Sequence, residues 1–384
     1  MKKTLIIGSG VSYFSDIPGL SSITDSILTS DKIGKGMDTN YYFEGYWGYG
    51  IQDNLNGYVH SCQQLLNLIK NKIERFYKLI ELEHPVNYED IYYVLRQIHD
   101  SFHLEYENPA TISLIEELIQ DSKLDKKDFK ENITESVSYI ESLVWQSIDI
   151  FIKQSSQYNI IKDLLDSFNL DTVLSLNHDL VLENWLHSNK INYDDGFHFD
   201  NKKLSEWKGF QNENGILKLC KVHGSIDWFD FRITKPSTYD NLVKIPRNHY
   251  AERISEIDDS FMAPNSGKPS ILVGTFNKML GYLGGIHEIL YDELKSTIME
   301  SEIIIISGYG FGDKGINTRL THWLFQDYSK KMIIIHPNKE SLINNSRGSF
   351  KINVMTEHHK HPKVELIEKR FEEVKIEEIL KCCV

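Results

Sequence analysis

The feature that most constrains this chain is a short apolar run, Leu5-Ile6-Ile7, that meets Gly8-Ser9-Gly10 and then a turn carrying Ser12, Ser15, Asp16 and Pro18. The run is far too short to span a membrane, and it does not alternate apolar with polar residues as a half-solvated strand does. It reads as a parallel strand covered on both faces, ending in a small-residue loop that offers backbone N–H groups to a phosphate. The same pattern recurs along the chain. Strands are expected at Thr172–Leu176, Leu217–Val222, Ser270–Val273, Glu302–Ser307 and Met332–His336, with Val364–Ile367 as a further edge. Three of them run into polar signatures of their own, Asn177-His178-Asp179, His223-Gly224-Ser225 and Gly308-Tyr309-Gly310. Helical connections at Glu183–His187, Gly285–Met299 and Arg319–Tyr328 complete an α/β chain with a doubly wound, mainly parallel sheet.

Between the first two strands the chain changes character. Leu20–Leu28 reads as a helix with Ser21 or Ser22 as its N-cap. Residues 31–59 mix Gly34, Gly36, Gly45, Gly48 and Gly50 with Tyr41, Tyr42, Phe43, Tyr46, Trp47 and Tyr49, a composition that suits a lid over a ligand as well as it suits a subunit contact. From His60 to Asn169 apolar residues recur three and four apart, as in Leu65, Leu66, Ile69, Ile73, Phe76, Tyr77 and Ile80. Further helices are expected at Tyr88–His99, Thr111–Gln120, Glu135–Gln154 and Asn159–Ser167, with the charged stretch Asp121–Glu131 as a separator. The expected organisation is an α/β core of residues 1–30 and 170–384, a Gly/Tyr-rich loop of residues 31–59, and an inserted helical module of residues 60–169. Asn192–Gly215 and Asp227–Lys268 are long, polar and weakly periodic, so they read as loops or minor elements near the strand ends.

Bulk properties remove several function classes. The net charge of -13 over 384 residues argues against a broad nucleic-acid face, which needs clustered Lys and Arg. The four cysteines Cys62, Cys220, Cys382 and Cys383 contain no Cys-x-x-Cys pair, so neither a zinc ribbon nor a redox pair is encoded, and Cys382-Cys383 lies too near the end for a prenylation box. His358, His359 and His361 lack the carboxylate or thiol spacing that completes a metal site and read as a polar turn, so no metal is expected. The chain shows neither a secretory leader nor an apolar stretch of spanning length, and a cytoplasmic location is expected.

The first loop departs from the dinucleotide fingerprint of hydride-transfer enzymes, because Tyr13 stands where its third glycine belongs. Each later signature also has a purely structural reading. Asn177 or Asp179 caps a helix, His223 is a hydrogen-bonded core histidine, and Gly308 forms a turn. What is specific is their order and their placement at strand ends.

That order, Gly-x-Gly-x-Ser with Ile-Pro, then Asn-x-Asp, then His-Gly-Ser, then Gly-Tyr-x-x-x-Asp, resembles the sirtuin superfamily, and within it the bacterial sirtuin-like proteins of antiphage defence. The resemblance covers Lys2–Leu28 and Thr172–Phe371 and implies a Rossmann-like core that binds NAD+. It implies that Gly8, Ser9, Gly10 and Ser12 cradle the pyrophosphate and that Asp16, Ile17 and Pro18 border the nicotinamide. Asn177 would orient the nicotinamide ribose or a water, His223 would act as general base beside Gly224 and Ser225, and Asp179 would hold or charge-balance the site. Gly308, Tyr309 and Asp313 would receive the adenosine half, with His336 and Asn338 at the adenosine ribose or adenine.

Two departures from deacetylating sirtuins matter. The four-cysteine zinc ribbon is missing, and Gly19-Leu20-Ser21-Ser22 follows Pro18 where those enzymes carry an arginine. The resemblance then implies NAD+ hydrolysis to nicotinamide and ADP-ribose, as the effector of an abortive-infection system, in a homo-oligomer that can work with a HerA-type ATPase partner. This chain has no Gly-x-x-x-x-Gly-Lys-Ser/Thr loop of its own. Three alternatives remain open at the level of sequence: a module that senses NAD or ADP-ribose, a protein deacylase, and a partner-dependent nuclease subunit.

Overall fold

The Leu5-Ile6-Ile7 run lies inside strand β1 (Lys2–Ile7), which stands at the middle of a seven-stranded sheet. The computed structural model describes residues 2–36, 38–46, 56–105, 108–198, 205–211, 215–230, 242–245, 267–274, 277–356 and 363–383. The other strands of the sheet are β2 (Thr172–Ser175), β3 (Tyr193–Asp194), β4 (Leu217–Lys221), β5 (Ser301–Ser307), β6 (Lys331–Ile335) and β7 (Val364–Ile367). Their order is β7-β6-β5-β1-β2-β4-β3, and every neighbouring pair is parallel. The chain leaves β1 toward β2 on one side and returns to β5 on the other. The boundary between β1 and β5 is therefore the topological switch point, where open parallel sheets bind ligands at their carboxyl edge.

The register aligns the strand ends. Ile7 pairs with Ser175 of β2 and Ser307 of β5, Ser175 with Lys221 of β4, and Ser307 with Ile335 of β6. Gly8, Asn177, His223, Gly308 and His336 all follow within two residues of that line. Both faces of the sheet are dry. Ile6, Leu174, Cys220, Ile304, Ile306, Met332 and Ile334 join one apolar cluster, while the alternating residues Leu5, Val173, Leu219, Ile303, Ile305 and Ile333 are equally buried. One expectation is corrected here. Ser270–Val273 contributes only an isolated antiparallel bridge between Ile271 and Gly224, and the edge beyond β4 is taken by β3. A two-residue strand carries no periodicity to detect, so it is hidden in a stretch that reads as loop.

The chain divides into two compact units, one of Met1–Ile17, Phe151–Leu272 and Lys278–Val384, the other of Pro18–Ile150 and Val273–Asn277. The second is the helical unit, with α1 (Leu20–Thr29), α2 (Asn56–Leu79), α3 (Tyr88–His103), α4 (Ile112–Ser122) and α5 (Lys126–Ile148). Helix α1 packs on α2, α3 and α5, which is why it belongs here rather than to the core of residues 1–30. Its N-cap is Gly19, without a side-chain cap, so Ser21 and Ser22 stand in its first turn. Helix α5 begins well before Glu135, because the Asp125 carboxylate caps the Asp128 N–H at 2.9 Å and turns an apparently charged separator into a first turn. Within residues 31–59, Ile33–Lys35 and Tyr41–Phe43 pair as an antiparallel hairpin. Gln146 ties that hairpin to α5, accepting from Phe43 N–H (3.1 Å) and donating to Tyr41 O (2.7 Å). Trp47, Gly48, Tyr49 and Gly50 lie outside the described residues.

The sheet unit carries α6 (Ile160–Phe168), α7 (Val181–Ser188), α8 (Asn277–Gly281), α9 (Gly285–Glu300), α10 (Lys314–Gln326), α11 (Lys339–Asn345) and α12 (Ile376–Cys382). Leu290, Leu294 and Ile298 of α9 and Leu320 and Trp323 of α10 cover one face of the sheet. Helix α6 packs on α12, which draws residues 151–169 into this unit rather than into the helical module. Much of Asp227–Lys268 lies outside the described residues; Trp228–Asp230 and Leu242–Lys244 within it join Ser205–Trp207 and Phe197–His198 in a small antiparallel sheet.

Candidate functional site

At the switch point two glycine turns press backbone against backbone. Gly8 N–H donates to Ser307 O (2.9 Å), Gly10 N–H to Gly308 O (3.0 Å), and Val11 N–H to Gly8 O (3.1 Å). A Cβ at Gly8 would stand 2.5 Å from Gly308 O, and one at Gly308, whose φ is +66°, would stand 2.5 Å from Val11 N. The glycines are thus required by the contact between β1 and β5. This amends the expectation of a loop with free N–H groups, since those of Gly8, Gly10 and Val11 are already engaged. Ser9 and Gly10 are exposed, and Ser9–Ser15 winds into a 3-10 helix that buries Ser12. Asp16 ends it in a left-handed conformation (φ 62°) and is exposed, Ile17 is buried and Pro18 half-buried.

Asn177 leaves β2 and points back at this loop. Its Nδ2 donates to Gly8 O (3.2 Å) and to Ser12 Oγ (3.1 Å). Its Oδ1 is buried with no hydrogen-bond partner, and so is the hydroxyl of Tyr158. Burial holds the Tyr158 phenol well above its ordinary pKa, the Asp179 carboxylate adds to this, and Ser12 and Asn177 beside it act in the opposite sense. Asp179 stands just before α7, whose N-cap is Leu180, and its Oδ1 accepts from Val181 N–H at 3.0 Å. Its main-chain oxygen accepts from the buried Lys221 Nζ (2.6 Å), which also donates to Glu183 Oε1 (2.5 Å). Burial raises the Glu183 pKa, and the Lys221 charge opposes that shift. Charge balance beside β4 is thus made by Lys221 and Glu183, with Asp179 supplying a carbonyl.

His223 follows β4 and is fully enclosed. Its Nδ1 lies 3.1 Å from Leu176 O and its Nε2 2.7 Å from the Tyr282 hydroxyl, which donates to Asp313 Oδ2 (2.9 Å). Nε2 and Oδ2 are 3.5 Å apart. Gly224 is demanded by its φ of +82° and by Ser270 O, only 2.0 Å from where a Cβ would sit. Ser225 is buried, its Oγ 3.5 Å from His178 O. The His178 ring is 6.0 Å from that of His223. Burial lowers the pKa of all three histidines in this region: His178 well below its ordinary value, His287 to about 4, and His223 by burial first and the Lys278 charge second, against the pull of Asp313. His223 is therefore neutral and able to accept a proton.

Asp313 caps α10, its Oδ1 accepting from Ile316 N–H at 3.1 Å. Burial alone would raise its pKa, but the hydrogen bond and charge of His223, with Lys278 and the Ile316 N–H, bring it down to about 2. The buried Tyr309 hydroxyl donates to Asn317 Oδ1 (2.8 Å) and accepts from Asp313 N–H (3.2 Å). The Gly308-Tyr309-x-x-x-Asp313 signature, which the resemblance gives to the adenosine half, here brings a carboxylate to the histidine. His336 is half-buried after β6 and accepts from Asn338 N–H at Nδ1 (3.1 Å), while the exposed Asn338 caps α11 through Ser341 N–H (2.8 Å). Tyr158 and Tyr282 were not singled out from the sequence. Tyr282 sits in Gly281-Tyr282-Leu283-Gly284-Gly285, which signals a turn and nothing more. Among the described residues no group of three or more His, Cys, Asp or Glu side chains is placed to hold a metal ion, and His358, His359 and His361 lie outside them. No described helix is long and apolar enough to cross a membrane.

Residues 171–354 match the family of SIR2-like domains. No curated protein matches the chain. Among solved structures, Sir2 enzymes studied for their mechanism and regulation align at 11% identity over 100% of this chain and 92% of theirs, with a TM-score of 0.39. A complex of a Sir2 homologue with NAD aligns at 10% identity over 99% of this chain and 89% of its own, with a TM-score of 0.39. A sirtuin studied for substrate affinity aligns at 8% identity over 97% and 89%, with a TM-score of 0.36.

Proposed function

From residues 171–354, which form a SIR2-like domain, we propose that the chain is an NAD+ glycohydrolase that releases nicotinamide and leaves ADP-ribose. The observation that carries this reading is a buried, neutral His223 at the same sheet edge as the buried Asn177 amide, whose Nδ2 is fixed on Gly8 O and Ser12 Oγ and whose Oδ1 makes no close hydrogen bond of its own, with the Tyr158 phenol beside it. A buried polar atom left unpaired costs about 1–3 kcal/mol. A ribose hydroxyl, donor and acceptor at once, suits both the Asn177 Oδ1 and the Tyr158 phenol. Breaking the bond between nicotinamide and ribose releases a neutral pyridine and leaves positive charge on the sugar. Asn177 orients the ribose hydroxyls, and His223 takes up the proton of an attacking hydroxyl or water. The pyrophosphate lies over the exposed Ser9-Gly10 turn at the switch point, and His336 and Asn338 border the adenosine side.

The sequence lacks the zinc ribbon that deacetylating sirtuins carry, which favours water over an acylated peptide as acceptor. Unrestrained loss of NAD+ kills the cell that makes the enzyme. An effector of cytoplasmic antiphage defence, held off until infection, is the role we assign. Residues 31–59 and the helical unit are its candidate surfaces for homo-oligomers or a HerA-type ATPase.

The test is nicotinamide release from NAD+ by the purified chain, beside His223→Ala and Asn177→Ala. Release by the wild type that both folded variants lose supports the hydrolase. Tight NAD+ binding without release favours a sensing module. Absence of binding refutes the reading of the first loop.

A further inference from the structure

We propose that Tyr282 relays the proton to His223 and that Asp313 is the positioning residue that fixes this relay and balances the charge it creates. The inference rests on His223 as the base in the reading above. It follows from counting protons in a buried cluster. Nδ1 faces the Leu176 carbonyl, a pure acceptor, so Nδ1 carries a hydrogen and Nε2 is the basic nitrogen. The Nε2 lone pair meets the Tyr282 hydroxyl at 2.7 Å, so a proton that reaches Nε2 along this line comes from Tyr282.

Tyr282 has one proton and two acceptors, Nε2 and Asp313 Oδ2, at 2.7 and 2.9 Å. While His223 is neutral, one of the two acceptors goes without. Once Nε2 is protonated, Nε2–H donates to the Tyr282 oxygen, Tyr282 O–H donates to Oδ2, and every group is satisfied. The step balances as follows. A substrate or water hydroxyl gives its proton to the Tyr282 oxygen as Tyr282 gives its own to Nε2, leaving an imidazolium beside the existing carboxylate and a phenol unchanged in charge. The phenolate is avoided throughout, in keeping with burial and Asp313, which together hold the Tyr282 pKa well above its ordinary value.

The parts are anchored. Asp313 is clamped by the first turn of α10 through Ile316 N–H and by the Tyr309 hydroxyl through its own N–H. Tyr282 stacks on Tyr291 of α9, ring centroids 4.2 Å apart and planes 8° apart. The other titratable groups facing His223 are His178, His287 and Lys278; none of them is an anion, so Asp313 is the negative charge that favours the imidazolium.

The experiment uses the full chain with Tyr282→Phe and Asp313→Asn. The first keeps the ring stack, and the second keeps an N-cap residue for α10. The His223 ring protons are followed by NMR against pH, and nicotinamide release is measured in parallel. In both folded variants His223 is expected to titrate at lower pH than in the wild type. Release by Tyr282→Phe is expected to fall at least about 100-fold, the scale of a lost proton-transfer group. In Asp313→Asn the acid limb of the pH–rate profile is expected to move to lower pH, with a reduced plateau. A His223 titration that does not move in either variant overturns the proposal whatever the enzyme does, and so does wild-type release by Tyr282→Phe. A titration that moves in both variants while the wild type releases no nicotinamide supports the cluster and counts against hydrolysis by the isolated chain instead.

Discussion

Replacing Gly8 by alanine should break the switch point. Gly8 has an extended backbone (φ -119°), so alanine brings no dihedral strain and the perturbation is purely the added methyl. Its Cβ would stand 2.5 Å from Gly308 O and 2.8 Å from Tyr309 Cα. Ordinary contact begins at 3.4 Å, so the two turns must part by about 0.9 Å. That separation stretches Gly8 N–H to Ser307 O, now 2.9 Å, and Gly10 N–H to Gly308 O, now 3.0 Å, beyond hydrogen-bonding range. Two backbone hydrogen bonds at about 1 kcal/mol each put the loss near 2 kcal/mol. Urea denaturation measures it directly. Gly310→Ala is the internal control, because a Cβ there meets nothing within 4 Å. The expected result is a clear drop in midpoint for Gly8→Ala, no drop for Gly310→Ala, and weakened NAD+ binding in the first alone. A Gly8→Ala protein as stable as the wild type, with unchanged NAD+ binding, would refute the claim that this contact dictates the glycine.

Two further outcomes follow from the buried charges. Lys221→Met strands the Glu183 carboxylate in the interior and is expected to cost about 3–5 kcal/mol by urea denaturation, while Lys221→Met with Glu183→Leu recovers most of that loss, because replacing both partners leaves no buried charge; equal losses would show that the pair does not act as a unit. His287 has its pKa lowered from the ordinary 6.5 to about 4 by burial. The unfolded chain therefore binds a proton at this position below pH 6.5 that the folded chain refuses until about 4, so stability falls as pH drops through that window. The difference corresponds to about 3 kcal/mol, and His287→Gln should lose that much less than the wild type between pH 7 and pH 4. Parallel pH profiles for the two proteins would place His287 in solvent contact.

The strand ends were legible because the physics that sets them is local. An apolar run covered on both faces stops where a polar residue or glycine appears, and in-register parallel pairing carries all such stops to one line. That is why Gly8, Asn177, His223 and Gly308 could be brought together from sequence. What each group does there was less legible. Asp313 reads from sequence as part of a ligand motif, and nothing in the sequence ties Asn317 to it. Only the fold shows Tyr309 bonding Asn317 and Asp313, and Asp313 turned toward His223. Tyr282 and Tyr158 had no signal, since one stands in a glycine-rich turn and the other in a single turn of 3-10 helix. The start of α5 was missed because Lys126-Lys127-Asp128 looks like a solvated linker until Asp125 is seen as its cap.

The carboxyl edge of β4 handles charge in two ways within three residues. Lys221 is a buried cation matched by Glu183, and His223 is a buried base kept neutral. An uncompensated ammonium at Lys221 would disfavour any positive charge on the neighbouring imidazoles, and its field is already among the influences that depress His178. Glu183 opposes that field at close range. Asp313 reaches His223 through the Tyr282 hydroxyl. It supplies the negative charge that favours a protonated His223, against burial and the Lys278 charge.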